Sequence, residues 1–147
     1  MLTFMNQFPA QLIQMTLRHY LFAFFAALFA LLAMDALWLG VLMTSTYQSY
    51  LGALLLDEPR LLPTALFYAL YPAGLVVFAV TPAFHKRDWR SAAVLGGLLG
   101  LVAYGTYNLS NLATLTLWPW QLTVIDMAWG MFLSSAAATA GYGAARR

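Results

Sequence analysis

The segment LFAFFAALFALLAMDALWLGVLM, residues 21–43, decides the fold class. Nearly every side chain in it is apolar, and Asp35 is its one charged residue. A helix needs about 20 apolar residues to cross a hydrocarbon core of about 30 Å, and this run is long enough. Only one basic residue, Arg18, precedes it, and the run exceeds the apolar core of a signal peptide, so we interpret it as an uncleaved first span.

Three further segments have the length and apolarity of membrane spans: Leu62–Pro82, Ala92–Thr114 and Trp120–Ala140. With Leu21–Met43 they predict an all-α polytopic membrane protein, a four-transmembrane-helix bundle forming a single domain over residues 1–147. The fourth span is rich in Ala, Ser and Thr, which predicts packing against other helices rather than lipid. Gly96 and Gly100 form a Gly-x-x-x-Gly spacing, which we interpret as a close contact within the chain.

Residues 1–20 precede the first span and are predicted to form an interfacial segment. Within them, Asn6–Tyr20 is predicted to lie along the membrane surface as a short amphipathic helix.

The composition excludes several classes of protein. Apolar residues make up 63% of the chain and charged residues 8%, whereas soluble domains hold about 25% charged residues. The chain has no cysteine, which excludes disulfides, thiolate metal sites and cysteine nucleophiles. The net charge is only +2 and the basic residues form no stripe, so nucleic-acid binding is not expected. Its histidines, His19 and His85, adjoin the spans rather than lying within them, and we predict no cofactor.

The basic residues predict the orientation of the bundle. With four spans, one side of the membrane holds Arg18, Lys86, Arg87, Arg90, Arg146 and Arg147, and the other holds only Arg60. The positive-inside rule therefore predicts that both the N-terminus and the C-terminus are cytoplasmic. Aromatic residues near the outer ends of the spans are interpreted as headgroup anchors: Tyr47, Tyr50, Trp118 and Trp120.

Few polar residues interrupt the spans, and their depths agree. Asp35 comes late in an outward helix and Asp126 early in an inward one, so both are expected about 5–8 Å outside the midplane at a rise of about 1.5 Å per residue. Residues three and four apart share a helix face. The sequence thus predicts one polar layer in the outer half, and its candidate ligand-binding residues are Asp35, Asp126, Tyr68, Tyr71, Tyr104, Tyr107, Asn108, Asn111, Trp38 and Trp129.

The two acids are the strongest sign of function. An Asp at a helix centre costs roughly 2.5–3.5 kcal/mol on insertion, and no Lys, Arg or His lies within any span to balance it. Three states are open: neutral carboxyls, carboxylates that accept hydrogen bonds, or a cation such as sodium, calcium or magnesium held by Asp35 and Asp126. The structural alternative is interhelical hydrogen bonding, worth about 0.6 kcal/mol for each bond. No catalytic residue is assigned.

The polar segments resemble a known family when taken together. They are Asp35-x-x-Trp38, Phe67-Tyr68-x-x-Tyr71, Tyr104-x-x-Tyr107-Asn108-Leu-x-Asn111 and Asp126-x-x-Trp129-Gly130. Over about Leu21–Gly143 the chain resembles domain of unknown function family 2177, a family of small bacterial membrane proteins. The resemblance implies a multi-pass protein of the bacterial inner (plasma) membrane, and it brings no activity, substrate or catalytic residue.

Three functions remain open. The first is binding or transport of a cation, proton or small polar molecule at the outer polar layer, and we rank it first because acids without counter-charges in membranes mark pathways and sites. The second is a small membrane enzyme of lipid or isoprenoid metabolism with an Asp as general acid or base. The third is a structural or accessory subunit of a membrane complex. The expected partners are the lipid bilayer and either a second copy of the chain or a larger membrane complex.

Overall fold

The computed structural model describes residues 14–147, which are helical over most of their length and contain no β-strand. The helices α1 (Leu17–Leu37) and α2 (Thr44–Leu51) are followed by α3 (Leu61–Leu75), α4 (Thr81–Lys86), α5 (Trp89–Thr114) and α6 (Trp120–Ala145). Two π-helical turns extend this pattern: Trp38–Leu42 continues α1, and Val76–Val80 joins α3 to α4. A 3₁₀ turn, Gly52–Leu54, ends α2.

Four helical segments are long and apolar enough to cross a membrane: Leu17–Leu42, Leu61–Lys86, Trp89–Thr114 and Trp120–Ala145. Each has 26 residues, which span about 39 Å at the α-helical rise. The prediction of an all-α, four-span membrane protein is therefore confirmed. The side of the membrane on which each terminus lies stays a prediction.

The first span begins earlier than the sequence indicated. Its helix starts at Leu17, so residues 17–20 belong to the span and not to a separate surface helix. At its start, the backbone N–H of Thr16 donates to Nδ1 of His19 at 2.9 Å and satisfies one end of the helix. The first thirteen residues of the predicted interfacial segment lie outside the described residues.

One end of the bundle carries most of the positive charge, and we call it the basic end. It is formed by the α4–α5 turn and the end of α6, with Lys86, Arg87, Arg90, Arg146 and Arg147. Arg87 adopts a left-handed conformation (φ 55°) and ends α4. Asp88 then caps α5 by accepting hydrogen bonds from the backbone N–H groups of Arg90 and Ser91 at 3.0 and 3.1 Å. The Ser91 side chain and these donors lower the pKa of Asp88, which favours its charged, capping form.

Helix α6 is the centre of the bundle because it packs on both α5 and α1 through small residues. A methyl group added at Gly96 would lie 2.6 Å from Cβ of Ala138, and one added at Gly141 would lie 3.0 Å from the Ala23 carbonyl oxygen. Real side chains essentially never show the separation at Gly96 and rarely show the one at Gly141, so glycine allows the helices to approach closely at both positions. The predictions of an intrachain glycine contact and of a fourth span packed on its neighbours are confirmed.

The second span packs unevenly. Its first half, α3, contacts α1 but hardly touches α5, whereas Val76–Val80 and α4 pack on α5. The Thr81 hydroxyl donates to the Val76 carbonyl oxygen at 2.9 Å, which satisfies a carbonyl of the π-helical turn. The bundle is therefore closed towards the basic end and open between α3 and α5 towards the opposite end, where residues 115–119 connect α5 to α6.

Candidate functional site

The two membrane acids share a cavity near the opposite end of the bundle. Its volume is about 440 Å³, and we call it the carboxyl cavity. Asp35 of α1 is 6% exposed and Asp126 of α6 is 5% exposed. The residues that line it are Asp35, Trp38, Leu39, Tyr47, Pro63, Thr64, Phe67, Tyr68, Tyr104, Tyr107, Asp126 and Trp129. The structure thus brings together side chains from α1, α2, α3, α5 and α6.

The Asp35 carboxyl is held by residues of two other helices. The hydroxyl of Tyr68, on α3, donates to Oδ2 of Asp35 at 3.0 Å. The indole of Trp129, on α6, faces the same carboxyl, but its Nε1 is outside hydrogen-bonding geometry and has no partner. Asp35 therefore has one firm donor and one donor that a small movement would engage.

The Asp126 carboxyl is held by a residue that the sequence did not single out for the site. The hydroxyl of Tyr47 donates to Oδ1 of Asp126, so the interpretation of Tyr47 as a headgroup anchor is wrong. Helix α2 packs on the start of α6, where Leu51 contacts Trp118 and Leu122, and this packing directs Tyr47 inward. Burial, and then the hydrogen bond to Asp126, raises the pKa of Tyr47 above its usual range, so its hydroxyl remains a donor at neutral pH.

A stacked pair of indole rings joins the two Asp-x-x-Trp segments. The rings of Trp38 and Trp129 lie 4.2 Å apart between centroids and are inclined by only 4°. The Nε1 atoms of both rings are buried without a hydrogen-bond partner. Buried polar groups are almost always paired, and small movements would bring the indole of Trp129 to the Asp35 carboxyl and that of Trp38 to the Tyr47 hydroxyl.

Two tyrosines of α5 complete the cavity wall. The ring of Tyr104 packs directly on Gly130, where even a methyl group would overlap it. The ring of Tyr107 packs edge-on against Trp118, with centroids 5.5 Å apart. Nε1 of Trp118 donates to the Thr123 hydroxyl at 3.1 Å, within the protein, so Trp118 is a buried support and not the headgroup anchor that we expected.

Three of the predicted site residues do not line the carboxyl cavity. Tyr71 is hydrogen-bonded through its hydroxyl to Oγ of Ser134 at 2.6 Å, closer to the basic end. Asn108 is fully buried behind Asp126, and its Nδ2 donates to the Tyr104 carbonyl oxygen at 3.1 Å while its Oδ1 has no partner. Asn111 lies beside the Tyr107 side chain. These residues support the wall from behind.

The residues missed in the sequence fall into two groups. Leu39 and Phe67 adjoin the selected Trp38 and Tyr68, and Phe67 belongs to one of the quoted segments, whereas Pro63 and Thr64 lie about one helical turn before Tyr68. For Tyr47 the only available signal was its place one turn beyond the first span.

The chemistry of the lining favours a positive charge. Among the described residues that line the cavity none is basic, and seven are aromatic: Trp38, Tyr47, Phe67, Tyr68, Tyr104, Tyr107 and Trp129. Carboxylates attract cations by charge, and aromatic faces attract them through their quadrupole.

A calcium ion would find few of its usual oxygen ligands among the acidic side chains at this cavity. Within residues 14–147 no group of three or more His, Cys, Asp or Glu side chains comes together, whereas calcium takes about 6–8 oxygen ligands. The volume of 440 Å³ lies in the range of small-molecule pockets, about 300–1,000 Å³. The cavity is therefore of a size that a small organic molecule fills.

Comparisons with known proteins give a family and nothing finer. No curated protein and no solved structure matches the chain. A family model described as "Predicted membrane protein (DUF2177)" matches residues 20–143. Because this match covers most of the chain and includes all the residues of the carboxyl cavity, the chain belongs to the DUF2177 family of membrane proteins.

Proposed function

We propose that this membrane protein binds a small organic cation in the carboxyl cavity, either to retain it or as the first step of its transport. One observation carries the proposal. Asp35 and Asp126 are both buried at the same cavity, and no described residue of its lining carries a positive charge. A buried carboxylate without a counter-charge is costly in a membrane, and a cationic ligand removes that cost.

The hydrogen bonds leave room for such a ligand. Tyr68 uses Oδ2 of Asp35, and Tyr47 uses Oδ1 of Asp126, and no described residue makes a hydrogen bond of good geometry to the other oxygen of either carboxyl. The stacked pair Trp38–Trp129 lies at the same cavity and offers aromatic surface. Two acids surrounded by aromatic rings are the arrangement by which proteins hold ammonium groups in partly dry sites.

A proton is the natural competitor of this ligand. A carboxyl that takes up a proton loses its charge and with it the attraction for the cation. The proton and the cation therefore compete for the same carboxylate. Exchange of a proton for the cation would couple the two if the cavity opens to both sides of the membrane.

The test is a tryptophan-fluorescence titration of the protein in lipid nanodiscs with tetramethylammonium. We expect Asp35→Asn and Asp126→Asn each to weaken binding by at least about tenfold, because each loses one charge contact of roughly 1.4 kcal/mol or more. Asp57→Asn is the matched control, since Asp57 is exposed outside the cavity. If the two cavity variants bind tetramethylammonium as tightly as the control does, or if the wild-type protein does not bind it, the proposal is wrong.

We propose further that the basic end faces the cytoplasm and that the carboxyl cavity lies in the outer half of a bacterial inner membrane. The grouping of Lys86, Arg87, Arg90, Arg146 and Arg147 at one end supports this orientation. The chain has no cysteine, so single cysteines at exposed Ser45 and His85 report each side cleanly. An impermeant maleimide added to whole cells should label Ser45→Cys and spare His85→Cys, and the reverse labelling would overturn the orientation.

A membrane enzyme of lipid or isoprenoid metabolism is the second candidate. It is favoured by the contact between the Tyr47 hydroxyl and the Asp126 carboxyl, which are two groups able to pass a proton. A changed lipid profile on deletion of the protein, restored by the wild type but not by Tyr47→Phe, would favour it, and an unchanged profile would count against it. The role of an accessory subunit remains a prediction, and co-purification with a larger complex in mild detergent would favour it.

A further inference from the structure

An apolar groove runs along the open side of the bundle between α3 and α5. Its deeper part, about 490 Å³, lies towards the basic end and is lined only by apolar residues and tyrosine: Phe67, Leu70, Tyr71, Ala73, Gly74, Val77, Phe78, Leu99 and Ala103. A second part, about 480 Å³, lies nearer the carboxyl cavity and is lined by Phe67, Tyr71, Ala103, Tyr104 and Tyr107. We call the two parts together the α3–α5 groove.

The groove adjoins the carboxyl cavity across aromatic rings. Phe67, Tyr104 and Tyr107 line both the cavity and the nearer part of the groove. Phe67 also lines the deeper part, and its ring stacks on Tyr71 with centroids 5.4 Å apart. The polar site and the apolar groove therefore form one path interrupted only by side chains, which change rotamer on fast timescales.

The backbone explains why the groove is open. Helix α3 leans on α1 and hardly contacts α5, and the residues that face across the gap are small, including Ala73, Gly74 and Ala103. A methyl group added at Gly74 would meet no atom within 4 Å. Leu70, Val77 and Phe78 at its rim are exposed, so the groove opens towards the lipid chains.

We propose that the ligand of the carboxyl cavity is an amphiphile, a cationic headgroup on an apolar tail that lies in the α3–α5 groove. This inference rests on the proposed function because the headgroup is the cation held by Asp35 and Asp126. The carboxylates exclude an anionic headgroup by repulsion. The groove suits a hydrocarbon tail because its lining offers a polar ligand hardly any hydrogen-bonding group apart from the tyrosine hydroxyls. Such a ligand enters sideways from the membrane and needs no aqueous entrance.

The experiment compares two probes that share a headgroup: tetramethylammonium, which has no tail, and dodecyltrimethylammonium. Both are titrated into the protein in nanodiscs, with protein-free nanodiscs as the partition reference. Gly74→Phe fills the groove from α3 at a position outside the cavity lining, and its added side chain starts in open space. Gly143→Phe is the matched control, since a methyl group there also meets nothing within 4 Å and Gly143 lies near the end of α6.

We expect Gly74→Phe to weaken the binding of dodecyltrimethylammonium by about tenfold, because the new side chain displaces the tail. The binding of tetramethylammonium, which has no tail, should change by less than about twofold. Gly143→Phe should change neither. Ala103→Phe fills the same groove from α5 and should have the same effect on both probes. The conclusion then does not depend on a single variant.

The outcomes separate this inference from the proposed function. Suppose that Asp35→Asn weakens the binding of both probes, but that the two groove variants bind both probes as the wild type does or weaken the binding of both equally. The tail site is then wrong and the cation site stands. If the wild type binds neither probe, or if Asp35→Asn and Asp126→Asn bind both as the wild type does, the cation site is wrong and the tail site falls with it.

Discussion

The hydrogen bond between Tyr47 and Asp126 is the contact that most directly tests the geometry of the site. Its donor is half-buried on α2, and its acceptor is 5% exposed on α6. Hydrogen bonds to charged groups contribute about 1.5–3 kcal/mol, whereas those in membrane interiors average about 0.6 kcal/mol and reach about 1.7 kcal/mol. Because Tyr47 is half-buried and Asp126 is almost fully buried, we expect the coupling of the two side chains to lie between these two limits, at about 1–2 kcal/mol.

A double-mutant cycle isolates this coupling. Tyr47→Phe removes the donor and Asp126→Leu removes the acceptor, and reversible unfolding in mixed detergent micelles gives the free energy of unfolding of each variant and of the pair. Asp126→Leu also removes a buried carboxyl, which changes the free energy of unfolding by itself, and the cycle cancels that effect. Tyr50→Phe is the control in place of Tyr47→Phe, because Tyr50 lies one turn later on the same helix and is exposed.

The control pair should be additive. If Tyr47→Phe and Asp126→Leu are also additive, within about 0.3–0.5 kcal/mol, then Tyr47 does not hold Asp126, and our account of α2 as part of the site is refuted.

Three further predictions concern packing, pH and the two tyrosines of α3. Gly100→Ala should lower the free energy of unfolding by about 1–3 kcal/mol because its methyl group would overlap the Gly130 carbonyl oxygen, whereas Gly97→Ala, whose methyl group stands 3.5 Å from Met131, should be neutral or slightly stabilising in the same assay; equal effects would refute the assigned packing. Tetramethylammonium should bind more weakly as the pH falls, by at most about tenfold per pH unit for each carboxyl that takes up a proton, and Asp35→Asn, which keeps one cavity acid, should show a shallower pH dependence than the wild type. Tyr68→Phe should weaken the binding of tetramethylammonium because the Asp35 carboxyl loses the hydrogen bond that holds it in place. Tyr71→Phe should leave this binding unchanged because the Tyr71 hydroxyl bonds to Ser134. A larger effect of Tyr71→Phe than of Tyr68→Phe in fluorescence titrations would contradict the assignment.

The fold could be predicted from the sequence because hydropathy and length decide it almost alone. A run such as residues 21–43 has no other stable environment than a membrane. The position of α6 at the centre could also be predicted, since a span rich in small residues gains little from lipid and much from close helix contact. The start of the first span at Leu17 was missed because Arg18 and His19 lower the local hydropathy, although both side chains lie at a helix end where water is near.

The layer of polar residues was predictable, but the path of its contacts was not. Helical spacing predicted similar depths for Asp35, Tyr68, Tyr107 and Asp126, since the rise per residue is fixed, and these four side chains line one cavity. Spacing cannot say where a connecting helix folds back, and Tyr47 reaches Asp126 only because α2 packs on Leu122. Tyr71 shares a helix face with Tyr68 but lies one turn further in, where Ser134 is its nearest polar partner.

The packing of α5 on α6 explains why the cavity lies in one half of the bundle only. Towards the basic end, α5 and α6 approach through Gly96, Gly100, Ser134 and Ala138, and no space remains for even a methyl group at either glycine. Towards the opposite end the ring of Tyr104 is inserted over Gly130, and beyond it the side chains are large. A route through the protein would have to separate the glycine-packed half, which close packing resists because its atoms lose their contacts together. From this we infer that the proposed ligand would reach the cavity from that end of the bundle or from the lipid, and that any passage to the basic end would require movement of the second span, whose α3 makes few contacts with α5.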